Sequence, residues 1–197
     1  MRDAFVHTLT ELAQHDPRIM LLVGDLGFGV VADFAKRFPK QFLNVGVAEQ
    51  NMAGVATGLA MSGRIVFTYS IANFPILRCL EQLRNDACYH QANVVSVSVG
   101  GGFSYGALGM THHGTEDIAI LRALPYMSVI APGDPKEAQA ERTGSPLLSY
   151  LHGPPVYGHA GREVDGRREP GDSECPGIYA RRSGTTPRWA RMRRRFG

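Results

Sequence analysis

Apolar and polar positions along this chain follow two rhythms, one of helical and one of strand period, and they alternate in a regular order. In MRDAFVHTLTELAQHD, Phe5, Leu9 and Leu12 share one helical face, which predicts an N-terminal helix. IMLLV at 19–23, closed by Gly24 and Asp25, is a short continuous apolar run, the form of a strand covered on both faces. DLGFGVV then turns into a short predicted helix from Ala32 to Phe38, stopped by Pro39. The unit recurs: QFLNVGV at 41–47 as strand, AEQNMAGVATGLAMSG at 48–63 as helix, RIVFTYS at 64–70 as strand, and a helix from about Pro75 to His90. NVVSVSVGG at 93–101 and MSVIAPG at 127–133 read as further strands, with a glycine-rich loop and a helix at 115–124 between them.

Such alternation predicts an α/β fold, a parallel sheet with helices on both faces. In open sheets of this kind, ligands bind outside the carboxyl ends of the strands. The segments expected there are GDLGFG, GVAEQN, YSIANF and GGGFSYGALGMTHHG, which are also the least ordinary stretches of the chain.

Composition divides the 197 residues unevenly. Residues 1–140 carry 10 Lys or Arg against 12 Asp or Glu, ordinary for a globular domain. Residues 141–197 hold 11 Arg, no Lys, 6 acids, 9 Gly and 6 Pro, so the net charge of +3 arises there. One domain over 1–140 is therefore expected, followed by an Arg/Gly/Pro-rich tail that is disordered or poorly folded. Cys79, Cys88 and Cys175 lack metal-ligand spacing and read as reduced thiols. With neither the apolar core of a signal peptide nor a run long enough to cross a bilayer, a cytoplasmic protein is expected.

Each candidate residue also has an ordinary structural reading. Glu49 opens a helix whose Met52, Ala53, Ala56 and Leu59 would pack inward, leaving its carboxylate at a strand-end crevice; the helix macrodipole alone favours an acid there. Asp25 before a glycine suits a turn, and Phe74 suits a core position at a helix start. Arg78 and Arg84 fit a solvated helix face. His112 and His113 diverge as neighbours and make a poor ion site. The glycine-rich loop lacks the Lys-Ser/Thr ending of a P-loop and the spacing of a dinucleotide fingerprint.

GVAEQNMAGVATGLAMSG at 46–63 and HHGTEDIAILRALPYMSVIAPGDPKEA at 112–138 resemble the pyrimidine-binding domain of the transketolase family, in order as well as in content. The resemblance covers roughly residues 1–140 and implies the thiamine-diphosphate-binding fold of pyrimidine type. It implies that Glu49 shares a proton with a ring nitrogen of the cofactor and so activates it. YSIANFPILRCLEQLRND aligns Phe74 with the aromatic residue lying against the pyrimidine, and Ile71 becomes a second apolar wall. Asp25 matches an aspartate near the cofactor cleft, and His112 matches a substrate-contacting histidine. Leu108 and Gly100 stand where classical transketolases place an aspartate and a histidine on sugar hydroxyls, a break in the family's usual sugar contacts.

The GDG…Asn segment that holds the diphosphate through Mg2+ or Ca2+ is missing, which implies a partner: a separate diphosphate-binding transketolase subunit that holds the metal. The expected function is two-carbon ketol transfer between sugars or sugar phosphates, by a dimer or heterotetramer. The alternative is a truncated, non-catalytic domain acting at most as an interaction module. For the tail, Arg without Lys beside Gly and Pro suggests a frameshifted reading of a GC-rich gene; RWARMRRRFG leaves nucleic-acid binding as a less favoured option.

Overall fold

The computed structural model describes residues 2–135, residue 138, and the backbone of 156–160. In chain order the elements are α1 (Arg2–His15), β1 (Ile19–Val23), α2 (Ala32–Arg37), β2 (Phe42–Asn44), α3 (Glu49–Met61) and β3 (Ile65–Ile71). There follow α4 (Leu80–Gln82), continued by a π-helical stretch (Leu83–Cys88), then β4 (Val94–Val99), α5 (Asp117–Arg122), β5 (Ser128–Ile130) and β6 (Val156–Ala160). Six strands form one sheet in the order β2-β1-β3-β4-β6-β5, with every neighbouring pair parallel.

Because side chains alternate across a strand, the apolar run of β1 feeds two cores. Ile19, Leu21 and Val23 pack with Val6 and Leu9 of α1 and Phe34 of α2, together with Phe67 and Val97 from the neighbouring strands. Met20 and Leu22 pack on the other face with Met52 and Ala56 of α3, Val66 and Val94. Helices therefore cover both faces, as the sequence pattern predicts. Gln41 adds a polar tie at the sheet edge: its side-chain amide donates towards the carbonyls of Ala13, Asp16 and Ile19 at 3.0–3.3 Å, joining the end of α1 to the start of β1.

Two elements differ from expectation. The helix predicted from Pro75 begins instead as consecutive turns, with the Ile76 and Leu77 amides both donating to the Asn73 carbonyl. Regular α-helix starts only at Leu80, and the extra residue per turn of the π-helical stretch lets Leu83, Ala87 and Cys88 all reach the interior. The second difference is β6, which lies beyond residue 140. Its backbone fills the place between β4 and β5, pairing Val95 with Val156 on one side and Ser128 with Val156 on the other. The sheet thus draws on a segment past the expected domain limit. Most of the Arg-rich stretch, including RWARMRRRFG and Cys175, lies outside the described residues.

Phe34 is fully enclosed between α2 and the sheet, with its ring 5.3 Å from that of Phe38. Phe34→Ala is expected to lower stability by about 3–5 kcal/mol, read as a shift in the urea unfolding midpoint; an unchanged midpoint would contradict this packing.

Candidate active site

The carboxyl ends of β1, β2, β3 and β4 open onto one edge of the sheet, and the loops that leave them carry the unusual side chains. The strand alternation prepares this edge. In β3 and β4 the positions facing α3 change from apolar Val66 and Val94 to the hydroxyls Thr68, Ser70, Ser96 and Ser98, all buried. Ser70 Oγ lies 3.3 Å from Glu49 Oε1 and donates to it, and Ser98 Oγ donates to the Ala72 carbonyl at 2.6 Å.

Glu49 is the first residue of α3 and only 1 % exposed. A buried carboxylate is costly without a partner, and here Arg78 provides one: its Nη1 donates to Glu49 Oε2 at 2.6 Å. The bond is charge-assisted and short, the stronger kind, and the N-terminal end of α3 adds a favourable dipole. Gly24, at the end of β1, lies against the same carboxylate, close enough that a Cβ there would stand 3.4 Å from Oε1. Among the described residues Oε1 receives only the long Ser70 bond, which leaves it acceptor capacity.

Arg78 also stacks its guanidinium carbon 5.0 Å from the centre of the Phe74 ring, within cation–π range. Phe74 in turn meets His112 edge-on, with ring centres 5.1 Å apart, and Tyr105 meets His112 from another direction at 6.1 Å. Asn73 fastens the two loops together by donating to the Thr111 carbonyl at 2.6 Å. His112 Nδ1 lies 2.9 Å from Thr111 Oγ1. A continuous series of contacts therefore runs from Glu49 through Arg78 and Phe74 to His112 and Tyr105.

Of the residues singled out from the sequence, Glu49, Phe74 and His112 come together in this way. Ile71 ends β3 beside them, its carbonyl accepting the Phe74 amide at 2.9 Å. Asp25 is held elsewhere on the edge. It adopts a left-handed backbone (φ 55°), and it exchanges hydrogen bonds with Asn44 at the end of β2, at 2.9 and 3.1 Å. This is the turn conformation an aspartate tolerates.

The solvated-face reading of Arg78 is corrected by its ion pair with a buried acid. The available signal was its position four residues after Phe74, one helical turn away. Arg84 is exposed, and its guanidinium donates to its exposed neighbour Asn85 at 2.8 Å. Tyr105 was also missed. Gly100, at φ 79°, permits it: a Cβ at that position would collide with the Tyr105 ring. The ring thus occupies the space beside the residue where the family pattern has a histidine.

These features suit an aminopyrimidine: a buried carboxylate with a lightly engaged oxygen, and a half-buried aromatic ring in the adjoining loop. Among the described residues no group of three or more His, Cys, Asp or Glu side chains could hold a metal ion. No helix of the described residues is long and apolar enough to cross a membrane.

A parallel sheet with helices on both faces and a buried acid at its carboxyl edge places the chain among the α/β proteins. Residues 1–141 match the family described as Transketolase, pyrimidine binding domain, and the chain belongs to that family. It is 43% identical over 162 residues to an apulose-4-phosphate transketolase subunit of Phocaeicola vulgatus, covering 82% of this chain and 51% of that protein. A putative transketolase C-terminal section from Methanocaldococcus jannaschii is 46% identical over 135 residues, 68% of this chain and 43% of that one. A solved split gene transketolase, an inactive beta4 tetramer, superposes with a TM-score of 0.70 at 37% identity, covering 82% of this chain and 50% of that one. The chain thus spans about half the length of the curated relatives it matches.

Two buried thiols lie on the segment after Arg78, Cys79 next to it and Cys88 at the end of the π-helical stretch. Burial pushes the Cys79 thiol up to about 12, with the Glu49 carboxylate adding to the rise, and burial does the same for Cys88. An unfolded thiol ionises near 9.0, so their contribution to stability is complete below pH 9.0 and declines as pH climbs from there towards 12. Both cysteines are expected to resist iodoacetamide at about pH 8 in the native protein and to react once it is unfolded in urea. Equal labelling in both states, read by mass spectrometry, would contradict their enclosure.

Proposed function

We propose that this chain supplies the pyrimidine-binding half of a thiamine-diphosphate site, for moving a two-carbon ketol unit between sugars or sugar phosphates. The observation that carries the reading is Glu49, a carboxylate buried at the strand-end crevice with one oxygen lightly engaged. When bound, thiamine diphosphate supplies the nucleophilic carbon that carries the two-carbon unit. Glu49 would share a proton at Oε1 with the ring nitrogen. Phe74 and Ile71 would wall the pyrimidine, and the turn at Asp25 would border the cleft. His112, held against Phe74 and Tyr105, would meet the sugar.

The diphosphate and its Mg2+ or Ca2+ would be held by a separate diphosphate-binding transketolase subunit, in a dimer or heterotetramer. In favour of such a partner, Phe28, Val47, Phe103, Leu108 and Met110 are exposed on the loops that follow β1, β2 and β4. Large apolar side chains gathered on one edge mark surfaces that are covered in an assembly.

The chain co-expressed with a diphosphate-binding subunit is expected to transfer ketol units, and Glu49→Ala to lower turnover by about 100-fold or more. Undiminished turnover in the variant would overturn the role of Glu49. Absence of transfer with a subunit proven competent beside another pyrimidine-binding partner would favour a non-catalytic interaction domain instead.

A further inference from the structure

We propose that Arg78 is a positioning residue for Glu49: its guanidinium engages Oε2 so that Oε1 carries the proton exchanged with the ring nitrogen of the pyrimidine. This rests on the cofactor reading above and goes beyond it, because nothing in that reading requires an arginine.

The geometry carries the inference. The two oxygens of Glu49 are in unlike surroundings: among the described residues Oε2 is bonded to Arg78 at 2.6 Å and Oε1 only to Ser70 at 3.3 Å. A guanidinium is a donor in every accessible protonation state and has no lone pair to offer. An oxygen facing it is thereby engaged as an acceptor, and a proton on the carboxyl group is directed to the other oxygen. That oxygen faces Gly24 at the end of β1.

The second contact of Arg78 explains why the cation is an arginine. Its guanidinium lies over the Phe74 ring while bonding the carboxylate, so one planar group holds the acid and rests against the proposed aromatic wall. Arg78 itself is 45% exposed although Glu49 is 1% exposed, which places the pair across the boundary between core and crevice. A lysine could supply the charge and one hydrogen bond, but not the planar stack.

The test uses the full chain assembled with its diphosphate-binding subunit and compares two probes by calorimetry. One is thiamine diphosphate; the other is an analogue in which carbon replaces the pyrimidine nitrogen that Glu49 would meet. The native assembly is expected to prefer the true cofactor. Arg78→Ala is expected to weaken cofactor binding about tenfold, leave the analogue's affinity unchanged, and so erase the preference. Arg78→Lys is expected to restore most of it, and Arg78→Met, which also removes the charge and the donors, replaces the alanine variant if that one does not fold, with the same loss expected. Equal weakening of both probes would mean a merely structural role and overturn the proposal, as would a preference that survives Arg78→Ala while Glu49→Ala abolishes it. A preference that survives Glu49→Ala as well would instead overturn the cofactor reading on which the proposal rests.

Discussion

Removing a carboxylate from water is among the most expensive things a fold can do, and the penalty is tolerable only when a partner of opposite charge and further donors meet it. In this chain the requirement falls on Glu49, and much of the carboxyl edge of the sheet is arranged around it. Gly24, at the end of β1, lies against the group. Ser70 turns a hydroxyl towards it from β3, and Arg78 reaches it from the turns that follow. The last of these contacts also links the acid to Phe74, and through Phe74 to His112. A core acid and a loop histidine are thus parts of one packed arrangement.

The parallel sheet makes this possible. Each crossover returns the chain to the same edge, so residues far apart in sequence, such as Gly24, Glu49, Ser70 and His112, arrive together at successive strand ends. The central strands are buried on both faces. β6 completes the pairing between β4 and β5 and supports the strand from which the glycine-rich loop departs.

Most of the architecture was legible because it rests on period. The runs at 19–23, 64–70 and 93–101 are too short and too apolar for anything but buried strands, and β1, β3 and β4 fall on them. What escaped was set by tertiary context. The π-helical stretch at Leu83–Cys88 follows from which residues must face inward, and no local propensity announces it. β6 overlaps GPPVY at 153–157, which faintly resembles the strand that ends the family's pyrimidine domain but stands in a segment whose composition speaks against folding. Arg78 read as a surface charge because exposure and an ion pair with a buried acid coexist in one long side chain. Tyr105 was hidden by the glycines around it; only the structure shows its ring lying on Gly100.

The proposed chemistry requires that Glu49 face the pyrimidine of a cofactor whose diphosphate is held by another chain. A crystal structure of the assembled subunits with thiamine diphosphate tests it most directly. The account predicts the ring nitrogen within hydrogen-bond distance of Glu49 Oε1, with Arg78 still on Oε2 and the Phe74 ring against the pyrimidine. A pyrimidine seated away from Glu49, or a carboxylate turned so that Arg78 and the ring nitrogen share one oxygen, would contradict it.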